Sequence, residues 1–200
     1  MNATHLSRIA IILFLVFGMA ASAHSEDPLQ QIKETTDKLL SVLTNPALKG
    51  PAKGNERKEL IFKTADERFD WEEMARRSLA RHWTQRTPEE KREFVRLFRE
   101  LLGRTYMDKI EGYKGEKIVY VGENIEGDYG VVKVKVVTSK SQEIPLEYRL
   151  LKKGDNWMTY DVSIEGVSLV NNYRAQFNSI ILDSSYRNLI EKMKAKVNEK

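Results

Sequence analysis

The chain of 200 residues contains no cysteine. That excludes disulfide scaffolds, thiol nucleophiles and cysteine-ligated zinc. It contains 3 histidines, and past residue 24 only His82 is left, so any Ser-His-Asp arrangement has to use it. Neither G-x-x-x-x-G-K-[ST] nor G-x-G-x-x-G occurs, so nothing marks a nucleotide phosphate cradle. No spacing of histidines and carboxylates suggests a metal site. Glu72-Glu73 and Glu89-Glu90 fall at helix starts, where the helix dipole accounts for them. An excess of one charge is missing too: 33 basic and 29 acidic residues are well mixed and leave a net charge of +4. That mild balance is compatible with a nucleic-acid binder on charge alone but implies no single binding face, and the exported compartment that the first residues predict makes the charge a surface property. Beyond the first two dozen residues no apolar run is long enough to cross a bilayer, and no repeat or low-complexity tract is present.

What is present suffices for one folded domain, with 41% of the residues hydrophobic. The chain starts with Arg8, an apolar run over 9–21 and the small-residue site Ala21-Ser22-Ala23, and no carboxylate precedes Glu26. This pattern predicts a secretory signal peptide over 1–23. The remaining residues, 24–200, are then a single α+β domain starting at His24 in an exported compartment. An uncleaved anchor is the alternative, but it calls for an apolar stretch of about 20 residues.

The downstream chain divides into a helical half, a strand half and a helical tail. Asp27-Pro28-Leu29-Gln30 predicts a capped helix with Leu29, Ile32, Leu39, Leu40 and Leu43 on one stripe. A loop over 49–55 and a helix over 56–68 follow. Asp70 with Glu73 predicts a short helix. Thr87-Pro88-Glu89-Glu90 is the strongest local signal, a capping box opening a helix whose buried face carries Phe94, Leu97, Phe98, Leu101, Leu102, Thr105 and Tyr106. From Lys117 the period changes to two. Val132, Val134 and Val136 share one face, as do Ile144, Leu146, Tyr148 and Leu150, and then Met158, Tyr160, Val162 and Ile164. Lys133, Lys135, Glu147 and Arg149 point the other way. Four strands joined by short turns predict an antiparallel meander. Stretches 168–182 and 186–197 read as closing helices. A curved sheet covered by helices, as in cone-shaped NTF2- or cystatin-like folds, encloses an apolar pocket.

Few residues invite a chemical reading. Ser168 lacks the second glycine of a nucleophile elbow and reads as a helix cap. Asp161 lies mid-strand, where carboxylates are depleted. It is either a general base beside Tyr160 or a carboxylate on the far sheet face that caps a helix or pairs with an arginine. Trp71, Trp83 and Trp157 read as core anchors. Arg76, Arg77, Arg81, His82 and Arg86 around Trp83 are either a solvated helix face or a contact for anionic headgroups or an acidic partner.

Several spaced blocks carry a resemblance. They are Phe69-Asp70-Trp71-Glu72-Glu73-Met74-Ala75, Leu79-Ala80-Arg81-His82-Trp83, the stretch from Thr87 to Phe94, Trp157-Met158-Thr159-Tyr160-Asp161-Val162-Ser163, and Asn172-Tyr173-Arg174-Ala175-Gln176-Phe177. In this order they resemble the MlaC, or toluene-tolerance, family over nearly all of 24–200. Ala80 departs from a usual glycine and Glu90 from a common glutamine. The resemblance implies a monomeric periplasmic carrier of a Gram-negative bacterium. Its cargo is a phospholipid, with no other cofactor, and its partners are an inner-membrane ABC transporter complex and an outer-membrane lipoprotein–porin complex. It implies no catalytic residue. The acyl tails are then expected against the sheet face of Val132, Val134, Val136, Leu146, Tyr148, Leu150, Met158, Tyr160 and Val162. The expected helical wall is Phe94, Phe98, Leu101, Tyr106, Tyr173 and Phe177. Each of these residues equally suits ordinary core packing. An enzyme using Asp161 and Tyr160, and a chaperone or adaptor with an apolar groove, are the alternatives.

Overall fold

A computed structural model describes residues 27–199; the expected signal segment lies outside them. Pro28 opens α1 (Pro28–Thr44), but Asp27 makes no side-chain cap. Glu123 does that work from the sheet, its Oε2 accepting from the Leu29 amide at 2.7 Å. Two short 3-10 turns, Pro46–Leu48 and Pro51–Lys53, occupy the loop before α2 (Gly54–Asp66). Asp70 caps α3 (Trp71–Leu79), accepting from the Glu73 amide at 3.1 Å. At α4 (Pro88–Glu111) the capping box forms in full. Thr87 Oγ1 accepts from the Glu90 amide at 3.2 Å, and Glu90 Oε2 accepts from the Thr87 amide at 2.8 Å. Such a cap is worth about 1 kcal/mol.

The strands β1 (Lys117–Glu126), β2 (Tyr129–Val137), β3 (Glu143–Lys153) and β4 (Asn156–Ile164) form the expected antiparallel meander. A fifth strand, β5 (Val167–Ser168), was not expected. It exists because Glu165 and Gly166 both adopt positive φ, 51° and 83°, and turn the chain back on β4. Ser168 then caps α5 (Leu169–Asp183), accepting from the Asn171 amide at 3.1 Å. Ser185 caps α6 (Tyr186–Asn198) in the same way.

One bulge corrects the expected faces of β4. Asp161 pairs with Arg149, but Thr159 pairs with Leu150, so Tyr160 has no partner across the strand pair. One extra residue shifts every side chain before it to the opposite face. Val162 and Ile164 therefore share the inner face with Tyr148 and Leu146, as expected. Met158 and Tyr160 do not; Trp157 and Thr159 take their place and are buried. Tyr160 lies on the outer side, edge-on to Tyr129 with centroids 6.2 Å apart and under the Arg77 guanidinium at 4.0 Å.

Two cores hold the layers. Helices α3 to α6 pack around Phe94, Phe98, Tyr173 and Phe177, whose rings meet mostly edge-to-face with centroids 5.4–5.9 Å apart. The smaller core joins α1 to the sheet through Ile32, Val132, Val134, Leu150 and Trp157. Gly130 admits Trp157 here, since a Cβ at that position would stand 3.2 Å from the indole. Buried Arg68, at the turn between α2 and α3, links these parts. Its Nη1 donates to Gln31 Oε1 and to the Trp157 carbonyl at 3.0 Å, and its Nε donates to Thr35 Oγ1 at 3.0 Å. Phe69 then forms a parallel bridge with Thr159, so this turn covers the free edge of β4.

Candidate functional site

Between the two cores lies a cavity of ≈ 280 Å³. Its floor is the inner sheet face at Leu146, Tyr148, Val162 and Ile164. One wall is α1 and α2, through Ile32, Leu39, Ile61, Phe62 and Ala65. The opposite wall is the C-terminal half of α4, through Leu102, Gly103, Tyr106, Met107 and Ile110, and Phe69, Trp71, Met74 and Leu169 close one end. The single helix α4 thus serves both spaces. Its first half, with Phe94, Leu97, Phe98 and Leu101, is locked into the helical core, and its second half faces the cavity.

The cavity's polar residues are mostly turned away from it. Thr35, Thr36 and Thr64 donate to the carbonyls of Gln31, Ile32 and Leu60 on their own helices at 2.8–3.0 Å. Such back-bonding leaves their methyl groups as the surface they offer to a neighbour. Trp71 stacks on Phe69 with centroids 5.1 Å apart, and its Nε1 donates to Asp66 Oδ1 at 2.8 Å. The wall is chemically close to hydrocarbon.

Helix α2 is pinned to α4 at three points. Arg57 pairs with Glu111 at 2.9 Å, and Arg99 clasps both oxygens of Asp66 at 2.7 and 2.8 Å. Burial pushes the Asp66 carboxyl up, but the bonds from Arg99 and Trp71 outweigh it and hold the group below its ordinary value. Between these ends the tip of the Phe62 ring meets Gly103, where an added Cβ would sit 2.0 Å from Cζ of the ring. The Arg99 guanidinium stands 4.3 Å from the centre of that ring. A mid-helix glycine costs about 1 kcal/mol relative to alanine, so this close approach accounts for its presence.

Of the residues expected to line a pocket, Leu146, Tyr148, Val162 and Tyr106 do so. Val132, Val134 and Leu150 lie on the same sheet face but are sealed in the core beneath α1. Val136 is half-buried between Ile118 and Ile144 and outside the cavity lining. Phe94, Phe98, Leu101, Tyr173 and Phe177 belong to the helical core, and Met158 and Tyr160 face outward. The α1 and α2 wall, Trp71 and the Gly103 contact went unrecognised as cavity features. The mid-helix glycine was the one local signal available for them.

Asp161 is held for structural work. Its Oδ1 accepts from the Val170 amide at 3.0 Å and its Oδ2 from the Ser168 hydroxyl at 2.5 Å, so it caps α5 from the strand next door. His82 bonds Asn178 Oδ1 at 3.1 Å. The basic cluster is likewise engaged: Arg76 and Arg77 bond Glu73, Arg81 bonds Asn178, and Arg86 stacks on Tyr186 at 4.4 Å. Among the described residues no group of three His, Cys, Asp or Glu is placed to hold a metal ion. No helix among them is long and apolar enough to cross a membrane.

Comparison with known proteins adds two findings. The family model described as MlaC protein matches residues 33–195. The fold matches a solved structure of the phospholipid-binding protein from Ralstonia solanacearum in complex with a phospholipid. That protein is 24% identical, with a TM-score of 0.75; the match covers 86% of this chain and 97% of the other. The likeness establishes the α+β architecture of a helix-covered open sheet.

Proposed function

The chain belongs to the MlaC family, and from that premise we propose that it is a carrier that holds a phospholipid by its acyl tails in the cavity between the two cores. The observation that carries this reading is the cavity wall itself, apolar side chains and back-bonded threonines on every side. Each buried methylene is worth about 0.8 kcal/mol, so two tails of roughly sixteen carbons forgo about 25 kcal/mol in water. A lipid crosses an aqueous gap only inside a container as apolar as the membrane it leaves. The R. solanacearum protein, of the same fold, holds a phospholipid in its structure.

The volume of the cavity limits how this happens. A cavity of ≈ 280 Å³ falls just below the range of about 300–1,000 Å³ typical of sites for drug-sized molecules. A two-tailed lipid needs more, so the walls part as it enters. The pinned wall of α2 is the one whose contacts with α4 are few and polar at the ends. The headgroup stays outside, where its charge keeps its water.

The carrier works in the periplasm after loss of residues 1–23, as a monomer. It shuttles lipid between an outer-membrane lipoprotein–porin complex and an inner-membrane ABC transporter complex, and performs no chemical step. The position of Asp161 and Tyr160 on the outer side of the sheet, away from the cavity, supports a binding role over acid–base chemistry. Native mass spectrometry of the exported protein, beside organic extraction, tests the reading. The expected result is one phospholipid per chain. A protein that leaves the periplasm with a bound peptide, or without lipid but with hydrolytic turnover, contradicts it.

A further inference from the structure

Two phenols of the cavity are not turned away, Tyr148 on the floor and Tyr106 on the α4 wall. Tyr148 rises from the sheet floor between Val132 and Val162, its partners on the neighbouring strands, and lines the cavity. Its hydroxyl has no hydrogen-bond partner among the described residues. Apart from Tyr106, the other donors of the wall are engaged: the three threonines on backbone carbonyls, the Trp71 indole on Asp66, and Arg68 on Gln31, Thr35 and the Trp157 carbonyl.

We propose that the Tyr148 hydroxyl is the polar recognition point of the cavity, donating a hydrogen bond to the ester carbonyl of a bound acyl chain, so that the carrier selects ester-linked over ether-linked lipids. This rests on the carrier reading and deepens it.

The chemistry of the donor narrows the acceptor. Burial, with Tyr120 nearby, pushes the Tyr148 phenol up to about 12, so it remains a protonated donor at any physiological pH. A hydrocarbon tail packed on that donor leaves it unmatched, which is costly in an apolar site. A phosphate oxygen satisfies it only by bringing a charge among Leu146, Val162 and Ile164, which is costlier still. The ester carbonyl is neutral, accepts strongly and sits at the head of the tail. It is the acceptor a glycerophospholipid carries next to its hydrocarbon. An ether-linked lipid of the same length and headgroup presents no carbonyl, and a site built around a buried donor discriminates against such an analogue. Tyr106, on the facing wall, has a phenol raised by burial and then by Tyr173, and its hydroxyl also lacks a partner among the described residues. It is the natural donor for the ester of a second chain.

The experiment loads purified protein from vesicles of diacyl phosphatidylcholine or its dialkyl ether analogue, with matched chain lengths. Retained lipid per folded chain is measured for the wild type and for Tyr148→Phe, which keeps the ring. The wild type is expected to favour the ester lipid by about tenfold, the order set by an unmatched buried donor. Tyr148→Phe is expected to fold normally and to lower the ratio severalfold, and Tyr148→Phe combined with Tyr106→Phe to bring it near one. A carbon-13 label on the ester carbonyl adds an independent readout, an infrared band shifted by hydrogen bonding in the wild type and not in Tyr148→Phe. Equal retention of both lipids by the wild type overturns the inference and leaves the carrier reading standing. So does a ratio that Tyr148→Phe leaves unchanged. Retention of neither lipid by the wild type overturns both.

Discussion

Replacing Gly103 by alanine is the sharpest structural perturbation the cavity offers. On a helix surface this change is worth a gain of about 1 kcal/mol, because glycine carries the larger conformational entropy. At this position the new Cβ meets the Phe62 ring at 2.0 Å from Cζ and 2.4 Å from Cε1. Both lie far inside contact distance, so the ring has to leave. Arg99 stands against it at 4.3 Å and is itself clasped by Asp66, so the open direction is the cavity. Overpacking of this kind costs about 1–3 kcal/mol. Set against the helix gain, Gly103→Ala is expected to lose about 0–2 kcal/mol in urea denaturation. Its larger effect is on capacity: phospholipid recovered per folded chain falls as the ring occupies the space of a tail. Adding Phe62→Ala to Gly103→Ala is expected to restore lipid recovery, the non-additivity of two residues in contact. A Gly103→Ala protein stabilised by the full helix gain with unchanged lipid content would refute the reasoning about the Phe62 contact.

Three further outcomes follow from separate parts of the structure. Ala80 ends α3 at φ 48° and ψ −122°, a region that costs a residue with a Cβ about 1–3 kcal/mol; Ala80→Gly is expected to raise the urea midpoint, and a lowered midpoint would show that this turn is not strained. Ile110→Asp places a charge on the cavity wall that tails cannot solvate, and is expected to cut recovered phospholipid by about tenfold or more; Lys135→Glu, on the outer sheet face where Lys135 pairs with Glu143 at 2.6 Å, is expected to leave recovery intact, and equal loss in both would mean the faces are misassigned. The Asp66 carboxyl is held below its ordinary value of 3.8, so its clasp contributes stability above that pH and loses it as pH falls through the lower folded value; acid titration of the wild type against Asp66→Asn should show a loss below about pH 4 that the variant lacks.

Local chemistry made much of this fold legible. The Thr87–Glu90 box and the Asp70 and Ser168 caps are set by residues three apart, and all three form. The period-two run gave the meander for the same reason. Asp161 stood out because a carboxylate is rare mid-strand, and it does cap a helix. Ala80, the departure from glycine in a resembling family, marks a backbone that favours glycine. What stayed hidden depends on contacts between distant segments. The bulge at Tyr160 leaves no trace in an alternating sequence, yet it sends Met158 outward and Trp157 inward. The apolar stripe of α4 shows that Phe94 and Tyr106 are buried, but not that one meets α5 and α6 while the other faces a cavity. A stripe reports burial and is silent about the neighbour.

The central claim is that acyl tails occupy the space between the two cores, and photo-crosslinking tests it most directly. A phospholipid carrying a diazirine near the end of one tail is loaded, irradiated, and its adducts mapped by peptide mass spectrometry. The account predicts adducts on cavity residues such as Phe62, Trp71, Tyr106, Met107 and Ile110. Adducts concentrated on the outer sheet face at Tyr129, Met158 and Tyr160, or on Phe94, Phe98 and Phe177 of the helical core, would contradict it.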